Sequence, residues 1–426
     1  MKRLSRGKKG QLLNLVLIAV AVIFTIALVV YPTEGFQAGI AGLKVFGKIV
    51  FPSLLPFFVL AEILMGLGVV RGLGVLLEPL MRPLFSVPGV GAFALSMGLA
   101  AGYPMDAVIA SRFRETGQCT RVEGERLLAF TNTADPLFML SAVAVGMFKS
   151  PAVGGLLAIS HYISAFLVGI CFKFWGRNDK DHLAEVQART KERAQGFIFV
   201  RAYQEMLRAR EEDGRPFGKL LGNAVTESMQ TLIMICGLIV FFAVFIEILS
   251  KSGLMRVIGA PIAVIYHLFH IHGGLVSPTI AGILELDIGS AQVAGVDGPL
   301  LQKLALVSGI IGWSGLAVHA QVASVLTNTD IRMLPYFLAR FLQAAFAAAA
   351  TVVLYFLGMG QKATQAMAHI PAVTGVGQAM SNHSFWQVSS SAVGLWLCIV
   401  GGLLVLSLGL LMVRRVRIIA FHTRIK

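Results

Sequence analysis

The sequence predicts an all-α polytopic membrane protein, built as an inverted repeat with broken helices and re-entrant hairpins. Three observations predict it. The 426 residues are 56% hydrophobic and only 14% charged, with a mean hydropathy of +0.77; a soluble domain carries about 25% charged residues. Lysines and arginines collect at the borders of apolar runs. Prolines beside polar residues interrupt apolar stretches at matching places in the two halves of the chain.

The net charge of +14 would suggest nucleic acid in a soluble protein, but no nucleic-acid motif is present. At apolar boundaries the same charge holds topology against anionic lipid. The N-terminus (Lys2, Arg3, Arg6, Lys8, Lys9) and the tail (Arg414, Arg415, Arg417, Arg424, Lys426) are both basic. Both are therefore expected in the cytoplasm, with an even number of crossings. The run Leu12–Val30 is longer than the roughly 7–15 residues of a signal-peptide core and lacks a clean small-residue cleavage site, so residues 1–43 are read as a basic end and an uncleaved first span. Residues 175–216 are charged and mixed in sign, a cytoplasmic helical insert with Phe199, Tyr203, Met206 and Leu207 on one face and Glu185–Arg189 as an i,i+4 pair. Residues 358–391 are polar and fit an external loop before a last span and basic tail, 392–426.

Between these marks lie two similar halves, 44–174 and 217–357. In the first, GLAAGYPMDA (98–107) places Tyr103 before Pro104, and FTNTADPLF (130–138) packs Thr131, Asn132, Thr133 and Asp135 ahead of Pro136. Proline lacks an N–H and disfavours helix at the residue before it. A helix therefore breaks here and restarts at Pro136, with Asp135 or Thr133 as cap. In the second half, GGLVSPTIAG (273–282) and GWSG (312–315) repeat the two breaks. The offset from Asp135 to His161 equals that from Ser314 to Arg340. Half one starts outside and half two at the cytoplasmic insert, so the repeats are expected to be inverted. Further re-entrant segments are expected at FPSLLPFF (51–58, followed by Glu62) and at 222–231, which holds Thr226, Glu227, Ser228 and Gln230. The competing reading of each is a kinked spanning helix.

Several stretches carry a family resemblance: FPSLLPFF (51–58), AGYPMDA (101–107), FTNTADPLFML (130–140) and ISHYISAFLVG (159–169). The chain resembles the YlbJ-type sporulation integral membrane proteins, whose halves are similar to the nucleoside-recognition Gate domain. The resemblance covers nearly the whole chain and is more specific in half one. It implies a stage V sporulation transporter that moves dipicolinic acid from the mother cell across the outer forespore membrane. It also implies a fold similar to concentrative nucleoside transporters, with substrate between paired hairpins and broken helices. Asp106 and Asp135 stand where the family commonly has glycine and a small residue, and both add negative charge beside the expected site.

A flat dianion asks for hydrogen-bond donors, helix N-termini, a cation and an aromatic wall. Thr131, Asn132, Thr133, Asp135, Tyr103, Ser277, Thr279 and Ser314 are the candidate substrate-binding polar residues, His161 and Arg340 the candidate cations, Phe138 or Trp313 the wall. Arg340 lies near the cytoplasmic start of its helix, where snorkelling is the competing reading. Among the acids, Glu227 and Asp106 are the candidates for a coupling proton or sodium ion, because they lie by predicted breaks. Glu285 and Asp287, beside a polar turn, read better as surface acids. The three histidines of HLFHIH (267–272) have no acidic or cysteine partner at ligand spacing, so no metal is assigned. The four cysteines form no CxxC pair, and the three in or next to apolar runs read as packing residues. No HExxH, GxSxG or Walker motif is present, so no enzyme and no cofactor is expected. The alternatives to a dipicolinate carrier are a nucleoside or other small polar solute carrier, and a non-transporting sporulation scaffold.

Overall fold

A computed structural model describes residues 8–47, 51–136, 138–191, 197–360, 401–402 and 404–410. The expected external loop beyond residue 360 and the basic tail fall outside the described residues. Helices α1 (Lys8–Val30) and α2 (Pro32–Val45) meet at 102°. Then come α3 (Phe51–Gly66), α4 (Val69–Phe85), α5 (Gly91–Ala101), α6 (Met105–Glu115) and α7 (Arg121–Thr131). A π-wound segment, Phe138–Met147, and α8 (Pro151–Phe172) close the first series. The insert supplies α9 (Lys180–Lys191) and α10 (Ile198–Asp213). The second series is α11 (Phe217–Lys251), α12 (Leu254–Leu268), α13 (Val276–Leu284), α14 (Leu286–Gly295), α15 (Leu300–Trp313), α16 (Gly315–Val325) and α17 (Met333–Leu354). Four of these stretches are long and apolar enough to cross a membrane, and two bent pairs add to them.

The two series match element by element. In each, a long helix ends at a glycine in the left-handed region, Gly68 (φ +77°) or Gly253 (φ +74°). An amphipathic helix follows, α4 or α12. Next come a two-armed hairpin, α5–α6 or α13–α14, a broken helix, and a long closing helix, α8 or α17. The hairpin arms α13 and α14 touch backbone to backbone at Gly282 and Gly289. The long helices run antiparallel: Gly66 at the end of α3 faces Leu220 near the start of α11, while Gly42 in α2 faces Val240 and Ala243 near its end.

Two expectations are corrected. The stretch 51–58 is not a hairpin; α3 runs through it with Pro56 inside. Pro56 forfeits one helical hydrogen bond, which α3 tolerates without breaking. The stretch 222–231 is not interrupted either. Thr226, Ser228 and Thr231 each donate a hydroxyl proton to the carbonyl four residues back, so α11 absorbs its own polar side chains. The re-entrant elements are α5–α6 and α13–α14 instead.

Candidate functional site

The first helix break lies where the proline and polar residues place it. Thr120 and Glu123 form a reciprocal capping box that starts α7. The helix ends at Thr131, and residues 132–135 are unwound. Asp135 Oδ1 then accepts from Phe138 N at 2.8 Å and caps the next wound segment. The tip of hairpin α5–α6 presses on this break. Gly102 has φ +73°, and a Cβ there would sit 2.9 Å from Asp135 Oδ2 and 3.0 Å from Asp135 N, so only glycine fits.

The second half repeats the contact with other residues. Ser314 (φ 68°) ends α15 and Gly315 (φ +74°) opens α16. A Cβ on Gly315 would lie 3.0 Å from Leu286 N, at the tip of hairpin α13–α14. Glu285 Oε2 accepts from Ile288 N at 2.7 Å and caps α14. Each broken helix therefore rests on the hairpin tip of its own half.

Unwound backbone inside apolar protein must find partners for its polar groups. Here side chains from both halves supply them. Ala134 N donates to His161 Nε2 at 3.0 Å. The guanidinium of Arg340, from the opposite half, donates to the carbonyls of Asn132 and Ala129. Asn132 Nδ2 donates to Asp106 Oδ1 (2.9 Å), and Thr131 Oγ1 donates to Asp106 Oδ2 (3.3 Å). Tyr336 donates its hydroxyl to Asn132 Oδ1 (2.8 Å) and interacts with Ser314. Tyr103 donates its own hydroxyl to Ile311 O (2.7 Å). Thr133 turns inward, donating to Thr131 O at 3.3 Å. Asp106, Thr131, Asn132, Thr133, His161, Ser314 and Arg340 are all buried.

The structure thus brings together Tyr103, Asp106, Thr131, Asn132, Thr133, Asp135, His161, Ser314 and Arg340. Arg340 does not snorkel; it is fully buried. Ser277 and Thr279 do not join the group. Pro278 sits in the first turn of α13, where it costs no helical bond, and the chain breaks later, at Glu285. Ser277 is exposed, and Thr279 pairs with Tyr266 (2.6 Å) on α12. Glu227 is also elsewhere. It lies on unbroken α11, ion-paired with Arg112, in a cleft of about 500 Å³ that also holds Glu62 and Glu115.

Sequence reasoning missed several residues. Glu285 and Asp287 are not surface acids. Both are half-buried and stand close together at the second hairpin tip, where Asp287 feels the charge of Glu285 first and of Asp135 next. His319 donates from Nδ1 to Gly315 O (2.7 Å) and lies tilted beside Trp313, with ring centroids 4.3 Å apart. Gln343 lies one turn beyond Arg340 and is fully buried. His161 Nδ1, His319 Nε2, Arg340 Nε and both polar atoms of the Gln343 amide have no hydrogen-bond partner among the described residues. A buried polar group without a partner is costly in an empty protein and available to a ligand. The spacing of Gln343 from Arg340, one helical turn on the same face, is the signal in the sequence that could have found it. Among the described residues, no group of three or more His, Cys, Asp or Glu is placed to hold a metal ion.

Residues 48–166, spanning the first hairpin and break, match the Gate family, described as nucleoside recognition. The chain is 44% identical over 345 residues to the sporulation integral membrane protein YlbJ of Bacillus subtilis (strain 168), covering 80% of this chain and 83% of that protein. The chain belongs to the YlbJ family of sporulation integral membrane proteins. No solved structure matches it. Membership in this family and the Gate match agree with the transporter-like layout of hairpin tips on broken helices.

Proposed function

We propose that this YlbJ-family chain carries a small anionic aromatic solute, dipicolinate, across the outer forespore membrane by alternating access, with both termini on the mother-cell side. The observation that carries the reading is Arg340. Its guanidinium is fully buried, its hydrogen bonds go to carbonyls of the unwound segment, and its Nε has no partner among the described residues. A buried cation held by carbonyls keeps its charge for a ligand. The uncapped N-terminus of α16 at Gly315 adds a second positive end. Trp313, Tyr103 and Tyr336 offer flat walls beside them.

A nucleoside or other small polar solute is the second reading, and a specific arrangement favours it. Asp106, Asp135 and Glu285 already place carboxylates at the other tips of the site, where a dianion would be repelled. The Gate match points the same way. Asp106 and the Glu285–Asp287 pair are the acids placed to carry a coupling proton or sodium ion. Glu227, engaged by Arg112, is not. The deciding measurement is thermal stabilisation of purified protein by dipicolinate, by nucleosides and by a non-aromatic diacid, since a ligand that binds the folded state raises its melting temperature. Dipicolinate alone should do so. A shift with a nucleoside and none with dipicolinate reverses the order of the two readings.

A further inference from the structure

A second cavity, of about 410 Å³, opens at the end of the molecule that carries the insert. Its charged lining is entirely basic: Arg82, Arg126, Lys173, Arg177 and His182. Two carboxylates, Glu78 and Glu123, neutralise Arg82 from behind. Among the described residues the others form no ion pair, although Glu123 and Glu125 act on Arg126 from a distance. Arg126 is 3% exposed, and its hydrogen bonds go to backbone carbonyls, Trp175 O (2.9 and 2.6 Å) and Ser86 O (2.7 Å). Those three bonds leave two of the guanidinium's five N–H groups over. Lys173 Nζ donates to Pro83 O, again a carbonyl. Arg177 is exposed at the rim and has no ion-pair partner among the described residues. His182 Nδ1 is taken by Thr120 Oγ1 (2.8 Å), which leaves the other ring edge for the cavity. Burial, with Arg126 and Arg82 alongside, holds the His182 imidazole below its usual range even though Glu123 opposes the shift.

The position of the cavity says what kind of anion it meets. Lys173, Phe174 and Arg177 follow directly on α8, one of the helices long and apolar enough to cross a membrane, and Phe174 is 60% exposed. The far wall is the end of amphipathic α4. Cations immediately beyond a spanning helix, next to an exposed aromatic ring, sit at headgroup depth. We infer that this basic cavity binds a phosphate oxyanion, supplied by the headgroup of an anionic phospholipid, with Arg126, Lys173 and Arg177 as its ligands. The site is separate from the helix breaks and needs no cargo.

The test uses the full chain in detergent, without cargo, and follows its melting temperature against phosphatidylglycerol, phosphatidylcholine of the same chain length, and inorganic phosphate, all at one ionic strength. Phosphatidylglycerol should stabilise the protein and phosphatidylcholine should not. Arg177→Gln and Lys173→Gln should each raise the phosphatidylglycerol midpoint about tenfold, the weight of one charge-assisted hydrogen bond. Arg177 is exposed, so its variant keeps the fold even if Arg126→Gln does not. Stabilisation by inorganic phosphate, with the two lipids equal, keeps the oxyanion site and assigns its source to free phosphate. Equal shifts from both lipids with none from phosphate, or a midpoint unmoved in both variants, overturns the proposal. A failure of dipicolinate to bind would leave these outcomes untouched.

Discussion

Tyr336 donates its hydroxyl to the side-chain carbonyl of Asn132 at 2.8 Å, joining the second half of the chain to the unwound segment of the first. The same amide donates from Nδ2 to Asp106 at 2.9 Å. One side chain thus settles two buried groups. Asn132→Ala should leave both the Tyr336 hydroxyl and the Asp106 carboxylate short of a partner, at about 1–3 kcal/mol for each buried group left unsatisfied. Tyr336→Phe removes one donor and strands only Asn132 Oδ1, so it should be the milder change. Denaturant or thermal melts of the purified variants rank the two. Cargo uptake into vesicles should be lost in Asn132→Ala even where the protein remains folded, whereas a scaffold would keep its assembly partners with the alanine in place.

Arg340 reaches two carbonyls, of Asn132 and Ala129, with one planar fork. An ammonium cannot reproduce that geometry. Arg340→Lys should therefore preserve charge but loosen the break, and cargo affinity should fall by more than about tenfold on the strength of one charge-assisted bond. Arg340→Gln removes the charge as well and should abolish binding of an anion altogether. If the cargo is a neutral nucleoside, the lysine and glutamine variants should instead lose similar amounts. Binding isotherms for the two variants separate these cases.

The parts of this architecture that were legible in the sequence share a cause. Pro104, Pro136 and the glycines around Ser314 act on the backbone within a residue or two, so the breaks at 102–104, 132–135 and 314 follow from local chemistry. Arg340 and His161 were found by their equal offsets from two breaks. What was not legible depends on tertiary placement. Glu227 reads like a site residue beside Thr226 and Ser228, yet an unbroken α11 satisfies those hydroxyls internally and turns Glu227 toward Arg112. Glu285 and Asp287 read like a polar turn at the surface, and only the folding of hairpin α13–α14 brings them to the breaks. Pro278 was taken for a break because the sequence does not show that α13 begins just before it.

Gly102 and Gly315 lie on opposite sides of the same kind of contact, Gly102 at the hairpin tip of the first half and Gly315 in the break of the second, each at positive φ and each pressed against the partner element of its own half. An alanine at either position meets backbone atoms about 3 Å from its Cβ and an unfavourable φ, the latter alone worth roughly 1–2 kcal/mol. Both Gly102→Ala and Gly315→Ala should therefore destabilise by at least that amount, and both should reduce cargo binding because the tip moves off the break. Gly117, also at positive φ but with open space around it, supplies the control. Its alanine variant should show the φ penalty without loss of binding, and equal loss at all three would mean that tip contact is unimportant.

Arg114 on α6 pairs with Asp330 in the turn before α17, through Nε at 2.7 Å and Nη2 at 2.8 Å, and with Glu185 of the insert at 2.8 Å. This fork ties both halves to the insert outside the apolar helices. The Arg114 hydrogen bond holds the Asp330 carboxyl below the usual aspartate range. A carboxyl with a lowered folded pKa binds fewer protons in the folded state than in the unfolded one. Its contribution is therefore complete above the unfolded value, about 3.9, and disappears as pH falls through the folded value. The difference in melting temperature between the protein and Asp330→Asn should be constant from neutral pH down to about pH 5 and should close below about pH 4. Because half of the Asp330 side chain is exposed, the pair is screened and its whole effect should stay within about 1 kcal/mol, shrinking further in high salt. A gap that widened on acidification would carry the opposite sign, and would mean that Asp330 is not the partner that Arg114 holds in the folded protein.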